Sequence, residues 1–231
     1  MTFIVAIQLN DSIIVATDNK DMVFNIATDQ LDYGTNKVTK MYAWDKGIIA
    51  GTGEYYVIRN SINFFKTVAD SQIDKLPECL DISRRLRELE VGKDYFQIQT
   101  TKLLCSSYSG TGAQLYTVDR LDPTKNYNLV PVQSMSILLW MFNPNVDTIT
   151  DELQNLYGSL KDYSSFTDQI EWVNYYISQL APIYKKQSQY DDLMSKSFDV
   201  FFQTKDEYLF CNIENNYHKD TKVEFIKKLL T

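Results

Sequence analysis

Apolar residues run from position 3 to 9 (FIVAIQL), stop at Asn10-Asp11, and resume over 12–17 (SIIVAT). Two such runs across a short polar turn predict a β-hairpin. Residues 18–36 are polar and mixed, which predicts a loop with a short strand. Residues 37–43 (KVTKMYA) alternate, Asp45-Lys46 turns, and 47–51 (GIIAG) reads as a short buried strand. The first fifty residues therefore predict a β-meander. The period then changes. From Glu54 to Ala69 the apolar residues Val57, Ile58, Ile62, Phe65 and Val68 fall at helical spacing. Residues 79–91 predict a second helix with Leu80, Ile82, Leu86 and Leu89 inward. Residues 95–108 and 113–119 read as strands joined by the turn Ser109-Gly110-Thr111-Gly112, and 127–134 adds another strand. Helices are expected over 135–142, 150–160 and 166–185. In the last, Phe166, Ile170, Val173, Ile177, Leu180 and Tyr184 form a stripe, and Pro182 predicts a kink or an early end. Residues 197–203 and 207–213 predict a hairpin around Thr204-Lys205-Asp206, and Thr221 to Leu230 a closing helix. Strand runs and helix runs are segregated, which indicates antiparallel sheets packed with helices, an α+β class. No linker composition or repeat period divides residues 1–231, so one domain is expected.

Composition narrows the chemistry. A net charge of −7 without a basic stripe argues against nucleic-acid binding. No apolar run approaches the roughly 18 residues of a membrane span. The first residues lack a basic flank and a small-residue cleavage site, so no signal peptide is expected. Three scattered cysteines, Cys79, Cys105 and Cys211, fit a reducing cytoplasm better than a disulfide framework. The one histidine, His218, sits in a polar stretch (NNYHKD), which argues against a Ser-His-Asp or Cys-His site. No Cys/His cluster has zinc spacing. The glycine turn at 109–112 lacks a following Lys-Ser/Thr and is not a phosphate loop. The 16 tyrosines and 12 phenylalanines point to a core and to large interfaces rather than to a ligand cage.

One group of residues suggests a reagent. Thr2 directly follows Met1, and its small side chain is compatible with removal of that methionine. A free α-amine, with a pKa of about 8, can then take the proton of the Thr2 hydroxyl. Such a site also needs a lysine to stabilise negative charge and a carboxylate to hold the lysine. Asp18 ends the returning strand, beside the start of the first if those strands pair. Lys37 opens the next run, and Gly51-Thr52-Gly53 could supply backbone donors for an oxyanion.

At these residues the chain resembles the proteasome β-subunit group of N-terminal nucleophile hydrolases, most closely the bacterial Anbu type. The matching pieces are TFIVAI at 2–7, NDSIIVATD at 10–18, NKVTKM at 36–41 and IIAGTG at 48–53, with looser similarity over 103–119 and 197–204. The resemblance implies a four-layer αββα sandwich. It implies Thr2 as nucleophile, Asp18 as the acid that orients Lys37, and Gly51 as the oxyanion donor. Ser134 and Asp191 fall near residues that support the N-terminal amine, and Ile49 would line the pocket for the substrate side chain. The pattern departs at Gln133 and Met135, which replace glycines around the supporting serine, and at Met194 and Ser195, which replace a Ser-Gly pair. The activity implied by the resemblance is threonine-type hydrolysis of peptide or amide bonds without a metal or organic cofactor. The resemblance further implies a ring or helical stack of like subunits acting on peptide or protein, with an ATPase or larger assembly as a possible partner. The competing expectation is a catalytically silent assembly subunit of a viral or other large particle; a self-processing or small-amide hydrolase is a third.

Overall fold

The computed structural model describes residues 2–25, 30–93, 95–141, 145–205, 207–214 and 226–229. Six strands come first: β1 (Ile4–Gln8), β2 (Ile13–Asp18), β3 (Lys20–Asn25), β4 (Gln30–Lys37), β5 (Met41–Trp44) and β6 (Gly47–Thr52). Helices α1 (Tyr55–Thr67) and α2 (Leu76–Val91) and the single turn α3 (Phe96–Gln99) follow. Then come β7 (Lys102–Ser109), β8 (Gly112–Asp119), β9 (Asn128–Pro131) and β10 (Ser136–Trp140). Helices α4 (Thr150–Gly158) and α5 (Gln169–Tyr190) lead to β11 (Phe198–Gln203), β12 (Glu207–Ile213) and β13 (Ile226–Leu229).

The strands form a six-stranded sheet in the order β10-β1-β2-β11-β12-β13, a five-stranded sheet β5-β6-β7-β8-β9, and the hairpin β3-β4. Side-chain alternation decides the layering. Ile4, Ala6, Ile13, Val15 and Phe201 pack against Ile48, Ala50, Leu104 and Leu115 in the space between the two large sheets. Their neighbours Val5, Ile7, Ile14, Ala16, Val200 and Phe202 pack on Trp172, Tyr176 and Leu180 of α5. Ile49, Leu103 and Cys105 pack on Val57 and Phe65 of α1 and Leu80 of α2. The order is helices, sheet, sheet, helices: a four-layer αββα sandwich. Because both faces of β1 and β2 are covered, every residue in them is buried. This is why they read as continuous apolar runs.

Several elements differ from the expectation. Residues 135–142 do not form a helix; Ser136–Trp140 is a strand paired with β1. Its run SILLW is too short to show a helical period, and an open edge of β1 takes it up. Residues 96–99 are a helical turn before β7 begins at Lys102. The polar stretch 18–36 holds the two strands β3 and β4. In α2 the buried residues are Leu76, Cys79, Leu80 and Ser83, while Leu89 is 84 % exposed and Ile82 and Leu86 are also exposed. The inward face of its second half is ionic: Arg87 pairs with Glu54 of the α1 N-cap at 3.2 Å, and Arg84 pairs with Asp81 at 2.8 Å and with Glu88. Helix α5 runs through Pro182 to Tyr190. An interior proline costs about 3 kcal/mol, and burying Ile183 and Tyr184 beyond it returns roughly 1.5–3 kcal/mol for each side chain. Ile170, expected inward on α5, is exposed. Where the closing helix was expected, the described residues 226–229 are a strand. His218 lies outside the described residues.

Candidate functional site

The site is built where the start of β1 meets the end of β2. Antiparallel pairing sets Ile4 opposite Thr17, so Asp18 arrives beside the residues that precede β1. The Asp18 N–H donates to Phe3 O at 3.1 Å, and the Phe3 N–H donates to Asp18 Oδ1 at 2.8 Å. The Lys20 N–H donates to Asp18 Oδ2 at 3.2 Å. Lys40 Nζ closes the arrangement with 2.9 Å to Oδ1 and 2.8 Å to Oδ2. The Asp18 side chain is 1 % exposed and that of Lys40 12 %. A carboxylate this deeply buried is stable only when paired and hydrogen-bonded, and both oxygens of Asp18 are.

Register explains how Lys40 reaches it. In the five-stranded sheet Met41 pairs with Ala50, so one step further sets Lys40 opposite Gly51. Asp18 belongs to the other sheet. The Lys40–Asp18 pair therefore spans the two sheets at one end of the sandwich, with Gly51 on the same rim. Continuing the β1 register by two places sets Thr2, half-buried, across from Asn19 and on the inter-sheet face shared by Ile4 and Ala6. Thr2, Asp18, Lys40 and Gly51 thus gather at one end.

Lys37 is not the lysine at this carboxylate. It ends β4, pairs with Glu214 at 2.5 Å, and the two side chains are 51 % and 65 % exposed. The sequence offers two lysines in NKVTKM, and only the β5–β6 register distinguishes them. Gly51 is required by packing: a Cβ there would lie 2.8 Å from Leu103 Cδ2 and 3.1 Å from both Ile58 Cδ1 and Lys102 O. Gly53 turns the chain into α1 at φ +116°, with Thr101 2.5 Å from where its Cβ would be.

The other three candidates lie elsewhere. Ser134 is exposed and precedes β10, whose Ser136 pairs with Gln8, so it stands at the opposite end of β1 from Thr2. The antiparallel pairing of β10 with β1 makes this unavoidable. Asp191 caps the end of α5, where its carboxylate accepts the Leu193 N–H at 2.9 Å, and it makes no hydrogen bond to Thr2. Ile49 is wholly buried between the five-stranded sheet and α1/α2, which makes it a core residue.

Three contributors were not foreseen. Tyr184 of α5 is fully buried, donates its O–H to Phe3 O at 3.4 Å, and stacks on Phe198 with centroids 4.3 Å apart. Burial, reinforced by the Asp18 and Asp199 charges, pushes its phenol well above the usual range, so it stays a donor. Ser195 Oγ accepts the Asn19 N–H at 3.0 Å, and Lys20 Nζ donates to Asp192 O. These contacts bind the segment after α5 to the end of β2. No sequence period announces them, because they join residues more than 170 positions apart. Among the described residues no group of three or more His, Cys, Asp or Glu side chains could hold a metal ion. No described helix is long and apolar enough to cross a membrane.

A positive charge fixed at the start of β1 by a buried carboxylate can lower the pKa of an adjacent hydroxyl and stabilise a developing oxyanion. No family model matches the chain, and no curated protein does. Solved structures do. A Gly-1 mutant of Anbu from Hyphomicrobium sp. strain MC1 is similar over 100% of this chain and 88% of its own, at 10% identity and a TM-score of 0.56. The helical assembly of the Anbu complex from Pseudomonas aeruginosa is similar over 99% and 86%, at 13% identity and a TM-score of 0.57. HslV from Trypanosoma brucei is similar over 87% and 98%, at 10% identity and a TM-score of 0.51. With the sheet order and the four layers, these similarities establish that the chain has the proteasome-like fold of Anbu and HslV.

Proposed function

We propose that this chain is a threonine-type N-terminal nucleophile hydrolase of peptide or amide bonds, with Lys40 rather than Lys37 as its lysine. The observation that carries the reading is the buried Lys40–Asp18 pair hydrogen-bonded to the backbone of Phe3, the residue after Thr2. Burying two charges costs several kcal/mol per ion. A site placed for charge on the hydroxyl next door gives that cost a use. Once Met1 is removed, Thr2 Oγ attacks the substrate carbonyl and its proton passes to its own α-amine, directly or through water. Lys40 stabilises the developing charge, Asp18 holds Lys40, and the Gly51 N–H receives the oxyanion. The leaving amine takes the proton, and water then resolves the ester. No step calls on a metal or organic cofactor.

The Pseudomonas aeruginosa protein is described as a helical assembly. That likeness supports the part of the reading in which this chain stacks with copies of itself. The rest of the reading is a single domain that works in the cytoplasm on peptide or protein and can receive it from an ATPase. A specific observation favours a second reading, a silent assembly subunit. Ser134 sits at the far end of β1, away from Thr2, and the Asp191 carboxylate accepts the Leu193 N–H in its own turn, a placement that suits a site without the two supports the resemblance implies for the amine.

Intact mass before and after a β-lactone or epoxyketone reagent separates the two. Hydrolysis predicts loss of one methionine and one covalent adduct, abolished by Thr2→Ala and by Lys40→Ala but retained in Lys37→Ala. Retained Met1 with no adduct establishes the silent subunit.

A further inference from the structure

Two lysines cross the gap between the large sheets at the Thr2 end. One is Lys40, which reaches from the five-stranded sheet to Asp18 on β2. The other is Lys102, the first residue of β7, whose Nζ lies 4.7 Å from the centroid of the Trp140 ring on β10. Alternation sets Lys102 on the same face as Leu104, and Trp140 shares the face of its register partner Ile4. Both faces look into the inter-sheet space.

The sheet orders fix what lies between the two crossings. β1 stands between β2 and β10, and β6 stands between β5 and β7. The end of β6 therefore faces the start of β1, with Lys40 on one side and Lys102 on the other. Thr52, on the inter-sheet face with Ala50, pairs with Lys102 one strand spacing away, about 4.8 Å. Ile49 packs on the helices instead, so a peptide lying across Thr2 meets Thr52, Lys102 and Trp140.

The two lysines are held differently. Lys40 makes two hydrogen bonds to a buried carboxylate. Lys102 has Asp119 Oδ2 at 3.7 Å, beyond hydrogen-bonding distance, and the two side chains are 29 % and 40 % exposed. One step beyond the Leu103–Val118 pair sets Asp119 opposite Lys102 on β8. Its other oxygen accepts the Arg120 N–H at 2.7 Å. Among the described residues no oxygen accepts a hydrogen bond from the Lys102 ammonium, which has three donors. The Trp140 ring attracts that cation and keeps it at the gap.

We propose that Lys102 sets the specificity of this end: it receives the carboxylate of an aspartate or glutamate side chain in a peptide lying across Thr2. This deepens the hydrolase reading and takes the peptide from it. An incoming carboxylate fills what Asp119 leaves open, direct charge-assisted hydrogen bonds at about 2.8 Å. The partly exposed Lys102–Asp119 pair offers weak competition. A basic side chain meets Lys102 first, because Asp119 stands one strand further from β6.

The test is peptide binding to the full chain carrying Thr2→Ala, in which no turnover intervenes. The probes are short alanine peptides, dye-labelled at the N-terminus and amidated at the C-terminus, with glutamate, glutamine or lysine at the centre. Fluorescence anisotropy at neutral pH reads the affinities. The glutamate peptide should bind about 5–20-fold more tightly than the glutamine peptide, between the discrimination of an exposed pair and that of a buried charged hydrogen bond. The lysine peptide should bind most weakly. The net charge of −7 favours the opposite order, so a glutamate preference reports a local cation. Lys102→Met should bind the glutamate and glutamine peptides alike, and Lys102→Arg should keep the preference; a merely structural lysine would change all three affinities together. Equal binding of the glutamate and glutamine peptides, a preference for lysine, binding of none, or a glutamate preference that survives in Lys102→Met overturns the proposal. The first comparison needs no change at Lys102, so it decides even where Lys102→Met does not fold. Covalent labelling of Thr2 without a glutamate preference removes the role of Lys102 alone. A Lys102-dependent preference without labelling keeps that role and removes the hydrolase reading.

Discussion

Replacing Lys40 by alanine removes the side-chain cation that pairs with Asp18. The carboxylate, 1 % exposed with Lys40 in place, would keep its bonds from the Phe3 and Lys20 amides, at 2.8 and 3.2 Å, but would lose the cation that balances its charge. Breaking a buried pair from one side costs about 3–5 kcal/mol. In a chain of this size each kcal/mol moves the melting temperature by about 2–4 °C, so Lys40→Ala should melt roughly 6–20 °C lower. Lys37→Ala is the control, because its pair with Glu214 is more than half exposed on both sides. Exposed pairs contribute about 0–1 kcal/mol, which predicts a shift of at most about 4 °C. Calorimetry at neutral pH on both variants decides. A double-mutant cycle with Asp18→Asn should show that the losses are not additive, since both substitutions break one pair. Equal shifts for the two lysine variants would refute the assignment of Lys40 and the reasoning from strand register that produced it.

Two further outcomes rest on the geometry. Gly51→Ala should destabilise by about 1–3 kcal/mol, the usual penalty of overpacking, because the new methyl meets Leu103 and the Lys102 carbonyl; an unchanged denaturation midpoint would show that β6 can shift away. Asp11 accepts N–H bonds from Tyr163 and Ser164 at 3.0 Å each. Burial raises its pKa, but those bonds and the Ser12 hydroxyl outweigh it and leave Asp11 below the ordinary carboxylate range. Its stability contribution is therefore present above the unfolded pKa and lost as pH falls through the lowered folded value. Asp11→Ala should flatten the acid limb of a stability-versus-pH curve below about pH 4; an unchanged acid limb would contradict this.

Legibility in the sequence tracks burial on both faces. β1, β2 and β6 are covered from both sides, so their apolar runs are unbroken and legible. β10 was hidden because its run SILLW fits a helix turn as well as an edge strand, and only the pairing with β1 separates them. Ile82, Leu86 and Leu89 have helical spacing, yet the face they define is outward, since Arg84 and Arg87 take the inward positions through ion pairs. Hydrophobic spacing gives the period of a helix but not the partner of each face. Asp18 was legible because it ends a clear hairpin. The lysine was not: choosing between Lys37 and Lys40 requires knowing that Met41, not Val38, begins β5. Ser134 shows the opposite failure. Its place in the chain suggested a neighbour of Thr2, and one antiparallel pairing carries it to the other end of the strand.

The two ends of the sandwich are closed by different physics, and this contrast supports the proposed site more than any single residue does. At the end away from Thr2, neutral amides cross the gap. Gln8 Oε1 accepts from Leu115 N at 2.6 Å and its Nε2 donates to Ala113 O at 3.1 Å. Gln203 accepts from Ser106 Oγ at 2.7 Å and donates to Lys46 O at 2.8 Å. Those side chains have partners for the groups they bury, and such a network specifies how the sheets meet at little electrostatic cost. At the Thr2 end the sheets are joined instead by a charged pair, and beside it lie Thr17, Asn19 and Asp199 with atoms unmatched among the described residues. If that end served packing alone, a neutral network like the one opposite would hold it at lower cost. A charge kept buried at the end that carries Thr2 is what the proposed hydrolase requires of Lys40, and the contacts from Asn19 to Ser195 and Ser197 hold the strand end that carries Asp18.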